Sequence, residues 1–321
     1  QRKDFREIFT VMKGKPVTVR LLDPPIHEFL PTEEVLKDEL EHLQKLKGTV
    51  SGVTDLFNSL RLLNADVKIA ERSTEPFTLA GVELIEKAIE KKGQMLRKVR
   101  ELHEVNPMLG HRGVRLGLSF PEIYRMQIQA ILEATAECQV AGIDVRPEIM
   151  VPQVCTAEEL QQVKVFVDEI RFQIESSRNI KLQFKFGTMI EVVRACLQAD
   201  ELAHVAEFFS FGTNDLTQAT FSFSREDAEN KFLPFYITQG VLKDNPFEVL
   251  DRKAMGKLMR MAVEDGRKNN PELKVGICGE HGGHPESIQF CHEIGLTYVS
   301  CSGPRVPVAR LAAAHAKLLS K

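Results

Sequence analysis

Residues 186–216 read FGTMIEVVRACLQADELAHVAEFFSFGTNDL, and they hold the same Phe-Gly-Thr triplet twice, each copy running into an acid, Glu191 or Asp215. In each copy a short apolar run stops near the acid and a helical pattern follows. Strand, turn, helix and strand in that order is the repeating unit of a parallel α/β sheet. Two readings of the acids follow. They sit at strand ends and aim at one point, or they cap and complement the helices they precede. Spacing alone leaves both open.

The same alternation runs along the chain. The strand candidates are Val17–Leu22, Val114–Leu118, Glu148–Val154, Phe184–Ile190, Phe208–Phe211, Lys274–Cys278 and Tyr298–Cys301. Between them Tyr124–Ala141, Ala157–Ser176, Val192–Asp200 and Arg252–Lys268 carry apolar residues at three- and four-residue steps. Polar motifs cluster at the ends of several strands, which is how a (β/α)₈ barrel of the TIM type builds a site. The predicted fold class is therefore α/β, a barrel spanning 1–321, with an open doubly wound sheet as the alternative. The chain opens on a helical segment, Asp4–Met12, so the first barrel strand is expected upstream. Residues 43–100 separate two strand candidates by far more than a usual loop. They predict a helical insertion, with a turn at STEPF (73–77) and a long amphipathic helix over Val82–His103.

A chain of 321 residues with 43% apolar content can bury a large core. Net charge −3 and pI near 6.4 provide no general basic face for nucleic acid. No stretch of about 18 uncharged apolar residues predicts a membrane span, so the chain reads as soluble. The six cysteines are scattered, without a C-x-x-C pair, which predicts reduced thiols and not disulfides or zinc. The compartment stays open between cytoplasm and a peroxisome-like organelle such as the glycosome: the sequence ends LLSK, and a further leucine would create the address SKL.

Several polar residues suit chemistry on an anion. Glu191 and Asp215, with Thr213 and Asn214 beside them, form an all-oxygen donor set suited to Mg²⁺ or Mn²⁺. Arg20 ends one strand candidate, Arg112 and Arg115 flank a glycine at another, and Arg225 follows in FSFSREDAE. Guanidinium forks at strand ends suit phosphate or carboxylate, although a lone one is usually a surface ion pair. Cys278 stands between glycines in GICGEHGG, placed as a nucleophile or proton donor, or as a small buried hydrophobe. His281 and His284 are read as structural.

Six segments together carry a resemblance: VRLLDPPIHEFLP (19–31), NPMLGHRGVRLGLSFPEI (106–123), PEIMVPQV (147–154), FGTMIEVVRA (186–195), FFSFGTNDLTQATFSFSREDAE (208–229) and VGICGEHGGHP (275–285). They resemble the PEP/pyruvate-binding barrel of the PEP-utilising enzymes, in the pyruvate phosphate dikinase branch, with PEP synthase and phosphotransferase enzyme I more distant. The resemblance implies that Arg20 and Arg112 bind the phosphate and carboxylate of PEP, and that Glu191 and Asp215 ligate Mg²⁺. It implies that Gly212, Thr213 and Asn214 line the pocket, that Arg225 adds a phosphate contact, and that Cys278 protonates the pyruvate enolate. Arg115 is a neighbour. The implied partners are phosphohistidine and ATP-binding domains of one longer protein, and a second copy in a homodimer. A domain serving chiefly for dimerisation, or another barrel enzyme acting on PEP or oxaloacetate, are the competing readings.

Overall fold

The computed structural model describes residues 1–24, 30–63, 75–102, 104 and 107–320. The chain divides into two compact units, one of Gln1–Pro24 with Arg112–Lys321 and one of Pro25–His111.

The first unit is built on an all-parallel sheet of six strands in sequential order, curled as a half-barrel. The strands are β1 (Pro16–Arg20), β2 (Arg146–Val151), β3 (Lys185–Ile190), β4 (Phe208–Gly212), β5 (Lys274–Cys278) and β6 (Tyr298–Val299). Every residue of β4 is buried, as are all but the first of β2 and β3, so these strands are mainly apolar, with Glu148, Thr188 and Ser210 as buried polar exceptions. β1 alternates exposed and half-buried residues, as an edge strand does.

Helices precede, connect and follow them. They are α1 (Arg2–Val11), α4 (Val114–Ser119), α5 (Pro121–Val140), α6 (Ala157–Arg178), α7 (Val193–Leu197), α8 (Ala199–Leu202) and α9 (Thr213–Phe221). There follow α10 (Arg225–Lys231), α11 (Leu233–Thr238), α12 (Met255–Asn269), α13 (Pro285–Glu293) and α14 (Val306–Leu319). The stripe Tyr124, Ile128, Ile131, Leu132 and Thr135 of α5 is buried in the main core, at helical spacing. α6 starts on a capping box, Thr156 with Glu159, which fixes where the strand-to-helix turn ends.

One strand expectation is corrected. Val114–Leu118 is not a strand but most of helix α4. Its apolar residues alternate, the β signature, yet over so few positions alternation and a buried helical turn are indistinguishable. The amides decide it: Gly113 N–H donates to the Asp23 carbonyl at 3.2 Å and Val114 N–H to Pro152 at 3.1 Å. Both acceptors lie in chain exits, from β1 and β2, so these amides tie the start of α4 to the ends of two strands and not to a neighbouring strand's ladder. The expected helix Val192–Asp200 is also split, into α7 and α8.

The second unit holds α2 (Glu33–Leu63) and α3 (Glu75–Glu101), bounds wider than the 43–100 expected for the insertion. Ion pairs join Glu33 to Arg100, Glu39 to Lys92 and Lys47 to Glu86 at 2.6–2.8 Å. One number rises as the other falls, so the helices run antiparallel. Ser73 and Thr74 of the expected STEPF turn lie outside the described residues, and Glu75–Phe77 already belong to α3.

The glycine of the first Phe-Gly-Thr triplet is a packing requirement. Gly187 pairs with Phe208 across β3 and β4, and a Cβ there would lie 2.3 Å from the Phe208 carbonyl oxygen. Backbone cannot swing aside as a side-chain tip can, so Gly187→Ala is expected to lower stability by about 1–3 kcal/mol. Gly48→Ala is the control: its Cβ meets nothing within 4 Å inside α2, and helix propensity makes it neutral or stabilising by up to about 1 kcal/mol. Thermal unfolding of the two variants checks both.

Candidate active site

The site is assembled where the parallel strands end. β1 delivers Arg20 and, three residues on, Asp23. Their exit is held by α5: Gln127 Oε1 accepts from Leu22 N–H at 2.8 Å, and Tyr124 Oη donates to the Leu22 carbonyl at 3.2 Å. Asp23, 2% exposed, accepts a two-pronged contact from Arg112, Nε at 3.1 Å and Nη2 at 2.6 Å. Arg20 Nη1 approaches the same carboxylate at 3.1 Å. One buried acid therefore gathers both guanidinium groups.

Arg112 reaches further, with Nη2 3.1 Å from Asp215 Oδ2. Asp215 lies in the first turn of α9, just past β4. The same oxygen accepts from Gln153 Nε2 at 2.7 Å, while Gln153 N–H donates to Glu191 Oε1 at 2.7 Å. Gln218 Nε2 contacts Asp215 Oδ1 at 3.3 Å. Glu191, directly after β3, is 3% exposed. Gly212 makes room for it: a Cβ there would lie 2.6 Å from Glu191 Oε2.

Cys278 ends β5, its Sγ 3.5 Å from the Phe211 carbonyl oxygen. Thr213 Oγ1 donates to the Cys278 carbonyl at 2.9 Å, tying the ends of β4 and β5 together. Gly279 follows at φ 95°, where a Cβ would meet Thr213 Oγ1 at 2.9 Å and Asn214 Oδ1 at 3.1 Å. Glycine there meets both the backbone angle and the close approach. Burial raises the Cys278 thiol pKa above its ordinary value; a Ser210 hydrogen bond opposes this and the Glu191 charge adds to it. The thiol thus holds its proton near neutrality.

Of the residues singled out in the sequence, Arg20, Arg112, Glu191, Gly212, Thr213, Asn214, Asp215 and Cys278 all stand at the ends of β1, β3, β4 and β5 or in the segments leaving them. Arg225 is tied to this group by its backbone, N–H to Gln218 Oε1 at 2.9 Å. Its guanidinium is engaged elsewhere, 3.3 Å from Glu229 and over the Phe247 ring. Asp23, Gln153 and Gln218 were not singled out. Asp23 lay inside the quoted LDPP and Gln153 inside MVPQV, with no pattern marking either as polar and buried.

The donor set fits a divalent cation. Two guanidinium groups face three carboxylates, so the fully ionised cluster lacks positive charge. Burial, and after it the nearby Asp215 and Asp23, push the Glu191 pKa up to about 8. A hard cation on carboxylate oxygens removes that repulsion. Among the described residues, no group of three or more His, Cys, Asp or Glu side chains makes a closed metal cage. Mg²⁺ is commonly held by one or two carboxylates and keeps its other positions for water and substrate oxygens.

Comparison with known proteins gives the family. Residues 1–318 match the family described as PEP-utilising enzyme, PEP-binding domain, and the chain belongs to that family. Among curated proteins it is 50% identical over 319 residues to a pyruvate, phosphate dikinase of Entamoeba histolytica, covering 99% of this chain and 32% of that protein. It is 46% identical over 322 residues to that of Clostridium symbiosum (100% and 32%), and 47% over 315 residues to the chloroplastic pyruvate, phosphate dikinase 1 of Arabidopsis thaliana (98% and 28%). The chain thus spans about a third of the length of these relatives. Among solved structures, a citrate lyase from Burkholderia xenovorans LB400 aligns at TM-score 0.41 and 14% identity, over 59% of this chain and 53% of that one.

The Cys278 loop is anchored by a histidine whose titration is readable. His281 is fully buried, its Nε2 2.9 Å from the Pro246 carbonyl, so that nitrogen carries the proton. Burial pushes its pKa down to about 4, with His284 and Arg225 acting the same way and the Pro246 hydrogen bond and Glu280 opposing. A base with a depressed folded pKa binds fewer protons folded than unfolded, so stability present above the ordinary histidine value is lost as pH falls toward about 4. His281→Gln, which retains a donor, is expected to lose less stability than the wild type between about pH 6.5 and 4. Unfolding followed across that range checks it.

Proposed function

We propose that this chain is the PEP/pyruvate-binding catalytic domain of a pyruvate phosphate dikinase. Its reaction is phosphoryl transfer between PEP and a carrier histidine on a separate domain. The observation that supports this best is the convergence of two guanidinium groups, two further carboxylates and a protonated thiol at one end of the sheet. Phosphoryl transfer needs charge neutralised on migrating oxygens and little covalent help from the protein.

Arg20 and Arg112 bind the phosphate and carboxylate of PEP; both are held in place by Asp23 and so are oriented before substrate arrives. Glu191 and Asp215 would hold Mg²⁺, which when bound supplies Lewis-acid stabilisation of the enolate and carboxylate oxygens. When the phosphoryl group passes to the carrier histidine, the P–O bond breaks and the electron pair stays on the enolate. The Cys278 thiol gives its proton to the methylene carbon, forming pyruvate and leaving a thiolate that recovers a proton from water. In reverse the thiolate removes a methyl proton. Gly212, Thr213 and Asn214 line the pocket, and Arg225 adds a phosphate contact once its guanidinium leaves Glu229 and the Phe247 ring.

The phosphohistidine and ATP-binding domains and the homodimer belong to the same proposal. Support for the two further domains is that the dikinases matched are about three times longer than the chain. Among the described residues no helix is long and apolar enough to cross a membrane.

The test is exchange of pyruvate methyl protons with D₂O, followed by NMR in the protein that carries this chain, with Mg²⁺ present. Cys278→Ala is expected to slow exchange at least about 100-fold while pyruvate still binds. Exchange in Cys278→Ala at the wild-type rate, or wild-type exchange indifferent to metal removal, would sink the assignment.

A further inference from the structure

Gln153 is the residue whose backbone shows the tension of the site. It is one of three non-glycine residues with positive φ among those described, at 58°, and the only one of them that touches the candidate carboxylates. A β-carbon makes this region unfavourable, so a residue persists there when its surroundings over-determine it. The surroundings here are a neighbour without a side chain and two acids. Gly113, itself at φ 59°, faces Gln153; a Cβ on Gly113 would lie 2.7 Å from the Gln153 Cβ. Glycine at 113 and not at 153 means that of two facing segments one is bare and the other carries an amide.

That amide and its own backbone N–H act on different acids. N–H donates to Glu191 Oε1 and Nε2 to Asp215 Oδ2, both at 2.7 Å, in a residue only 4% exposed. Arg112 meets the same Asp215 oxygen at 3.1 Å. One oxygen of each carboxylate is therefore occupied by short contacts. Glu191 Oε2 and Asp215 Oδ1 are left, the latter with only the 3.3 Å contact to Gln218.

We propose that Gln153 is a positioning residue for the divalent-cation site, clamping one oxygen of Glu191 and one of Asp215 so that the other two are presented to the ion. The inference rests on the metal reading of Glu191 and Asp215 given above. Gln153 itself touches neither ion nor substrate. Outer partners of this kind fix ligand orientation, and their loss weakens metal binding without removing a ligand.

Two variants separate the amide from the fold. Gln153→Gly takes up φ 58° without strain and keeps the N–H to Glu191, while Gln153→Met keeps the bulk and loses the amide. The readout is Mn²⁺ titration of the metal-free protein, followed by loss of the free-ion EPR signal, with Asp215→Asn alongside. Both Gln153 variants are expected to bind Mn²⁺ about 10- to 100-fold more weakly, with the pyruvate KM for methyl-proton exchange at saturating Mn²⁺ unchanged. Wild-type Mn²⁺ affinity in either Gln153 variant, with Asp215→Asn impaired, overturns the positioning role and leaves the metal reading standing. Wild-type affinity in Asp215→Asn overturns both. A rise in pyruvate KM parallel to the loss of Mn²⁺ marks general collapse of the site and also overturns the positioning role. Should one variant fail to give a cooperative melting transition, the other carries the same outcomes.

Discussion

Burying a carboxylate costs its hydration unless cationic partners compensate, and Asp23, 2% exposed, has two guanidinium groups beside it. That pairing is structural before it is functional. Arg112 opens the segment that becomes α4, Arg20 closes β1, and the Asp23 carbonyl accepts the N–H of Gly113. Removing Asp23 would take from the buried Arg112 its two-pronged partner, the kind of loss that is strongly destabilising in buried ion pairs. Because Arg112 also reaches Asp215, the ion pair at the edge strand is connected to the acid beyond β4. The remaining contacts of the cluster, through Gln153 to Glu191, add to that line.

The two Phe-Gly-Thr triplets show what a sequence reader can and cannot see. The first copy lies within β3 and the second ends β4 and opens α9, and both acids are hydrogen-bonded through one glutamine, so the reading of acids at strand ends was available from the letters. The register was not. Gly187 stands opposite Phe208, whereas Ile190 stands opposite Phe211, so the triplets sit at different heights in the sheet. Glu191 therefore arrives level with Gly212, and the second glycine clears space for the first strand's acid. Pairing register follows from long-range packing, which local spacing does not encode. Asp23 and Gln153 were missed for a related reason: burial of Asp23 and the left-handed backbone of Gln153 depend on neighbours far away in sequence. Val114–Leu118 failed differently, since alternation over so short a run supports either period.

The segment between α9 and α12 makes a second link between the halves of the site. Asp215 meets Gln218, whose Oε1 accepts from the Arg225 amide; the Arg225 guanidinium holds Glu229; Glu229 accepts from Asn245; and the next carbonyl, Pro246, accepts from His281. His281 lies in the loop that leaves Cys278. The chain of contacts thus starts at a proposed metal ligand and returns to the proposed proton donor. Arg225 reads in this light as a member of the frame as much as a candidate phosphate contact. Its guanidinium would have to leave Glu229 and the Phe247 ring to reach an anion.

The placement of Cys278 sets a limit on what the thiol can do. Its neighbours at the strand end are a backbone carbonyl, a serine and, at longer range, the acid Glu191, and each of the buried and negative influences holds the proton on sulfur. A nucleophilic cysteine needs the reverse, a cation or helix N-terminus close enough to stabilise the thiolate. Arg20 is the cation that acts on the thiol, and its effect ranks below burial and below the Glu191 charge. The same scaffold that crowds the carboxylates therefore favours the protonated form of the adjacent thiol. A cation on Glu191 and Asp215 would cancel the negative field at sulfur and lower the thiol pKa. In this arrangement metal occupancy and the ease with which Cys278 gives up its proton are coupled through the electrostatics of one buried acid.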